Sequence, residues 1–161
     1  SEPTRRPAGS GDGLPPAVEQ ALGEIRRTHP GVEWETRCAG EPPRVSIPES
    51  SLAETLIILL RNAVEAMEGS GRGMLETEVS EGQLRVRIGD EGPGLKASEL
   101  EEIFKPGFTT KQQGSGYGLF LARRIAEEHG GSITASSRAG QGALFELLLP
   151  AAGEPSAEEI S

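Results

Sequence analysis

The sequence predicts a two-layer α/β sandwich, a mixed and mainly antiparallel sheet with helices on one face. Three observations carry this. Apolar residues recur at helical steps in three segments, near residues 15–28, 50–68 and 116–129. Alternating segments lie between them and after the last. Two pairs of these, 73–79 with 84–90 and 132–137 with 143–149, are joined by short glycine-containing connections and read as hairpins. Helices kept apart from hairpins make layers. A chain of 161 residues suits one domain of this kind, with a core large enough to need no disulfide or metal staple.

The elements follow in order. Residues 1–13 (SEPTRRPAGSGDG) are rich in Pro, Gly and Ser and read as a flexible segment. The domain proper spans 14–150, and 151–161 (AAGEPSAEEIS) reads as a flexible tail. Pro15 and Pro16 open a helix striped by Val18, Leu22 and Ile25, which stops near His29-Pro30-Gly31. Residues 32–38 alternate as a strand, with Arg44–Ile47 as its expected short partner. Pro48 starts a long helix, 50–68, whose Leu52, Leu56, Leu59, Leu60, Ala63 and Met67 face the core. The first hairpin turns at Glu81-Gly82. A short helix is expected at 97–103 and a Gly-rich loop at 105–115. The helix at 116–129 closes on Gly130-Gly131. Arg138–Gly142 join the last two strands, and Gly140 and Gly142 read as a plain hairpin turn.

Composition narrows the function. Only 4% of residues are aromatic, so the core is aliphatic. Sixteen Lys and Arg against 25 Asp and Glu leave a net charge of −9, which argues against a general nucleic-acid binder. The one cysteine, Cys38, excludes an internal disulfide or zinc framework. Its place in the alternating VEWETRC predicts a buried thiol. No apolar run is long enough to span a bilayer, and no signal-peptide pattern opens the chain. The first residue is Ser rather than Met, so an excised or processed piece is expected.

Four stretches carry chemistry. Asp90 ends a strand and is followed by Gly92-Pro93-Gly94. Its carboxylate can accept a hydrogen bond from an exocyclic amine, and the glycines let backbone approach a base. Asn62 lies on the polar side of helix 50–68, where its amide oxygen suits Mg2+. Ile58 lies one turn earlier on the same side and reads either as a packing residue or as a missing general base. Phe104 and Phe108 flank Lys105-Pro106-Gly107, with Thr109-Thr110-Lys111 after them. Such a loop can fold over a nucleotide and bring Lys111 to a phosphate. Gly114, Gly116 and Gly118 alternate as a helix begins, exposing amides at its positive end for a diphosphate.

Taken together these stretches resemble the ATP-binding catalytic domain of bacterial sensor histidine kinases, in the superfamily of gyrase, Hsp90 and MutL. LLRNAVEAM is similar to the N box, DEGPG to the first glycine box and IFKPGFTTK to the F box. GSGYGLFLARRIAEEHGG is similar to the second glycine box with its helix, and SSRAGQGALFELLLP to the last glycine box with its closing strand. The lid is most like the nitrogen-regulatory type. The resemblance covers 48–150, and 14–47 more loosely. It implies a Bergerat-type fold with a mobile lid at about 96–115, and ATP and Mg2+ as cofactors.

The resemblance also implies roles. Asn62 binds the metal, with Glu65 and Ala66 beside the nucleotide. Asp90 hydrogen-bonds the adenine amine, Gly92 and Gly94 shape the base pocket, and Leu95 after them also binds the nucleotide. Phe104, Thr109, Thr110 and Lys111 contact the nucleotide from the lid. Gly114, Gly116 and Gly118 hold the phosphate tail, and Tyr117 and Leu119 between and after them also bind the nucleotide. Three departures stand out. Ile58 replaces a polar residue, Gly107 an aromatic one, and Ala143 a common Thr.

The resemblance implies a protein-histidine kinase whose phosphoacceptor His lies on a separate dimerisation domain, with a response regulator downstream. Neither His29, before a proline, nor His129, at a helix end, fits that acceptor. The dimerisation hairpin is not in this sequence, so a mostly monomeric fragment is expected; its expected location is cytoplasmic, in a parent that can itself be membrane-anchored. The alternative is a non-catalytic nucleotide sensor or protein-interaction module of the same fold.

Overall fold

The computed structural model describes residues 14–39, 45–107, 116–138 and 141–151. In chain order the elements are α1 (Pro16–Thr28), β1 (Val32–Ala39), α2 (Glu49–Ala66), β2 (Gly71–Ser80) and β3 (Gln83–Gly89). Two 3-10 turns (Ala97–Glu99 and Glu102–Phe104), α3 (Gly118–Glu128), β4 (Ser132–Arg138) and β5 (Gly142–Pro150) follow. The strands form one sheet in the order β1-β2-β3-β5-β4. β1 and β2 run parallel and every other pair is antiparallel. A parallel pair needs a long crossover, and α2 supplies it.

The helix ends follow from backbone chemistry. Pro16 occupies the first position of α1, where an amide N–H has no helical partner to lose. α2 and α3 both stop in a Schellman turn. In α3 the Gly130 N–H donates to Glu127 O (3.1 Å) and the Gly131 N–H to Ala126 O (2.8 Å). In α2 the Glu68 N–H donates to Glu65 O and the Gly69 N–H to Val64 O, both at 3.0 Å. Here Glu68 takes the left-handed conformation (φ 56) and glycine comes one residue late. The helix therefore closes at Ala66, short of the expected residue 68.

The core lies between the helices and one face of the sheet. All six residues expected there, five within α2 and its C-cap Met67, are buried. They meet the cross-strand rows Leu75–Ile88–Phe145 and Val86–Leu147–Ile133. The opposite face carries a row of alternating charge, Arg37, Glu76, Arg87 and Glu146, directly opposed across four strands. Arg85 Nε and Arg87 Nε both lie 3.1 Å from Glu146 Oε2. Charge on one face and aliphatics on the other leave a single admissible register, since a one-residue slip would bury the charges.

Three expectations are corrected. Val45 does not extend the sheet beside β1; it bridges Ala151 in antiparallel fashion. Cys38 is only partly buried, because it sits near the end of an edge strand, packed against the core rather than within it. The segment 97–103 is not one helix but two 3-10 turns. The Glu99 carboxylate accepts the Lys96 N–H (2.9 Å) and closes the first of them locally.

Candidate functional site

β3 delivers Asp90 to the end of the sheet, beside Ala143 of β5, whose carbonyl accepts the Asp90 N–H (3.1 Å). The Asp90 side chain is buried, with 6% exposure. Its Oδ1 accepts two backbone bonds, from Gly92 N–H (2.8 Å) and Ala143 N–H (3.3 Å). These amides, one local and one 53 residues distant, hold the carboxylate in one orientation. Gly142 (φ 87) makes this approach possible. A β-carbon there would fall on the Asp90 carbonyl oxygen. On the other side, a β-carbon at Gly92 would lie 2.7 Å from Ala66 O, so the acidic turn rests on the last turn of α2.

Helix spacing now places Asn62. Ile58, Asn62 and Ala66 are successive i, i+4 residues along one face of α2. Ala66 abuts Gly92, as above. Ile58 Cγ2 would lie 3.3 Å from a β-carbon at Gly118, the first residue of α3. Asn62 and its half-buried amide therefore sit between the acidic turn and the glycine start of α3. That start has no side-chain cap and no acidic residue in its first turn. Glu65 on the same helix is exposed, Leu95 and Leu119 are partly buried, and Tyr117 is exposed.

The ring of Phe104, expected against the nucleotide, is taken up by the core. It is buried, meets Phe145 edge-on at 6.2 Å, and has the Arg123 guanidinium 4.3 Å above its face. A groove between this turn and α3 is lined by Lys105, Pro106, Phe120 and Arg123, among others, and by no residue of the acidic turn. Beyond it the Gly107 N–H donates to Gly116 O (2.9 Å), tying together the two ends of the loop. Phe108, Thr109, Thr110, Lys111 and Gly114 lie outside the described residues.

Arg123 also pairs with Glu101 through two oxygens, at 3.0 and 3.5 Å. The hydrogen bond from Arg123, and then its charge, hold the Glu101 carboxyl below the usual glutamate range. A depressed folded-state value stabilises the fold above the unfolded value, and that contribution is lost as pH falls through the folded one. Arg123→Ala should lower stability by about 1–2 kcal/mol through the ring contact and the packed side-chain stem. The difference from the unaltered chain should shrink as the pH drops below the glutamate range. Denaturant unfolding at neutral and acid pH checks both.

His129 Nδ1–H donates to Ile125 O (2.9 Å) at the end of α3, and His29 Nδ1 pairs with Thr28 Oγ1 (2.9 Å). Sequence reasoning missed Ser137 and the backbone of Gly142 as builders of the site, and marked Ala143 only as a departure from the family pattern. Gly142 read as an ordinary turn residue, and only its likeness to a last glycine box hinted at more.

A family model described as histidine kinase-, DNA gyrase B- and HSP90-like ATPase matches residues 48–153. The chain belongs to this ATPase family. Membership of an ATPase family implies that the domain binds ATP. Sensor histidine kinase ZraS of Klebsiella oxytoca is 38% identical over 117 residues, which cover 72% of this chain and 25% of that protein. Sensor protein FixL of Bradyrhizobium diazoefficiens is 40% identical over 106 residues, 64% of this chain and 21% of that protein. The chain thus spans about a quarter of the length of these relatives. Among solved structures, a nucleotide-free catalytic domain of histidine kinase ThkA matches with a TM-score of 0.75 at 29% identity. The match covers 86% of this chain and 93% of that one. The mixed five-stranded sheet backed by helices is the fold of histidine kinase ATPase domains, as expected. No helix among the described residues is long and apolar enough to cross a membrane.

Proposed function

We propose that this ATPase-family domain binds Mg-ATP and presents the γ-phosphate to a histidine on a separate dimerisation domain of its parent protein. The observation that carries this is the stripe on α2 that sets Asn62 between the locked Asp90 turn and the uncapped start of α3. Those are the base end and the phosphate end of one site.

The residues fit the ligand. The acidic turn and β5 meet at glycines, which lets the two backbones close on each other with no β-carbon between them and hold Asp90 in place. Asp90 Oδ1 is oriented by two amides, so the carboxylate is aimed to accept the exocyclic amine of adenine through Oδ2. Leu95, Ala66 and Glu65 stand on the elements beside that base. Gly116, Gly118 and the first-turn amides of α3 meet the phosphates, with Tyr117 and Leu119 alongside. By the family resemblance Thr109, Thr110 and Lys111 contact the nucleotide from the lid, and Gly114 belongs to the loop that holds the phosphate tail. No three His, Cys, Asp or Glu side chains converge among the described residues. By the family resemblance Mg2+ would be held by Asn62, with phosphate oxygens and water as its other ligands, and when bound it neutralises charge on the transferring group.

The reaction needs positioning more than covalent protein chemistry. An imidazole nitrogen of the partner attacks the γ-phosphorus in line. The new N–P bond forms as the bond to the bridging oxygen breaks, ADP leaves, and the imidazole yields its proton to its own surroundings. This domain supplies no base at position 58, where Ile58 packs on α3. Ile58→Glu is expected to leave ATP hydrolysis unchanged and to lower stability by about 1–2 kcal/mol, because it puts a charge into a packed contact. A coupled hydrolysis assay beside thermal unfolding checks this. A rise in hydrolysis would place position 58 at an attacking water.

The function is tested by incubating the domain with γ-labelled ATP and the parent's helical hairpin. Label on the hairpin's histidine supports the kinase. A full-length, dimeric parent that binds Mg-ATP yet never labels itself would make the domain a nucleotide sensor. A response regulator is then the expected acceptor downstream of the kinase.

A further inference from the structure

Ser137 has no part in the reading above, yet its hydroxyl joins three segments of the site. It lies on β4 in register with Ala143, the residue beside Asp90. The Leu95 N–H donates to Ser137 Oγ at 2.8 Å, across 42 residues of sequence. The Ser137 hydroxyl donates in turn to Gly142 O at 3.3 Å. One oxygen therefore accepts from the far end of the acidic turn and donates to the start of β5. The turn is moulded against it: a β-carbon at Gly94 (φ +82) would sit 2.6 Å from Ser137 Oγ.

The near end of the turn is tied to the sheet through Asp90 Oδ1. The far end, Gly94 and Leu95, is tied through Ser137. We propose that Ser137 is a positioning residue for the base of the nucleotide: it sets the spacing between the acidic turn and β5, and so the width of the slot into which Asp90 faces. This rests on the nucleotide reading above. Ser137 acts through Leu95 and Gly142 rather than by touching ligand. Its influence is therefore confined to the base end, and the phosphate end at α3 is set independently by the packing of Ile58 on Gly118.

The experiment is calorimetric titration of ADP and, separately, of base-free tripolyphosphate, both with Mg2+. It is run on the unaltered chain, Ser137→Ala and Ser137→Thr. Ser137→Ala should weaken ADP about tenfold, the scale of a lost, partly buried hydrogen bond, and leave tripolyphosphate within about twofold. Ser137→Thr keeps the hydroxyl and should restore ADP. The proposal is overturned if Ser137→Ala binds ADP as the unaltered chain does, or weakens both ligands in parallel, as a purely structural loss would. It is equally overturned if Thr fails to rescue. Should the Ala variant not fold, Ser137→Cys replaces it, with the same expected loss of ADP alone. An unaltered chain that takes up tripolyphosphate but not ADP would overturn the nucleotide reading itself, and this proposal with it. That outcome shows in the unaltered chain before any variant is compared.

Discussion

Asp90→Asn should lower ADP affinity about a hundredfold while leaving the domain folded. The carboxylate uses Oδ1 to accept two backbone amides, from Gly92 and Ala143. An Asn oxygen can keep both bonds. Its NH2 must then occupy the Oδ2 position and face the exocyclic amine, donor against donor. The change thus exchanges an acceptor for a donor at one atom and leaves size nearly constant. Leaving a buried polar pair unmatched costs about 2–3 kcal/mol, which is the stated hundredfold. The opposite amide orientation would set NH2 against the two backbone donors and weaken the turn instead. Calorimetry with ADP, alongside circular dichroism and thermal unfolding, separates these outcomes. Affinity within about threefold of the unaltered chain, in a folded variant, would remove Asp90 from the base pocket.

Gly142→Ala should destabilise the domain by about 2–4 kcal/mol and lower nucleotide affinity with it. Two terms contribute. The residue is left-handed (φ 87), which disfavours any β-carbon, and the new carbon would fall on the Asp90 carbonyl oxygen. Both colliding atoms are fixed to backbone, so no side-chain rotation relieves them. β5 must draw away from Asp90, and the Ala143 amide then leaves Oδ1. Gly82→Ala separates the terms. Gly82 has φ 76 and open space where its β-carbon would go. It should cost only the conformational term, about 1 kcal/mol. Equal losses at the two positions, by denaturant unfolding, would mean that the contact with Asp90 adds nothing.

The site was legible in sequence where chemistry is local. Asp90 followed by three close-set turn formers, and glycines alternating into a helix, state their backbone needs in adjacent letters. Asn62 was legible for a different reason: its helix has a sharp two-sided pattern, so Ile58, Asn62 and Ala66 had to share a face. What the stripe touches was not legible. Ile58 could have lined open water or packed on a neighbour, and the start of α3 lies some sixty positions further on. The surroundings of Phe104 were not legible either: its ring is held between Phe145 and Arg123, partners from two later elements.

Periodicity, helix stops and turn residues by themselves determined the number and type of the main elements and the order of the site's motifs. Gly130-Gly131 ends α3 through bonds that reach back only a few residues, so the sequence alone suffices there. The tertiary structure decided that β1 pairs in parallel with β2, that Val45 bridges Ala151, and that Ser137 grips Leu95. Each of these is a hydrogen bond between residues distant in the chain, set by strand register. Register is chosen by the whole sheet as it buries one face and leaves the charged row of Arg37, Glu76, Arg87 and Glu146 in water, a selection that no local stretch of residues contains.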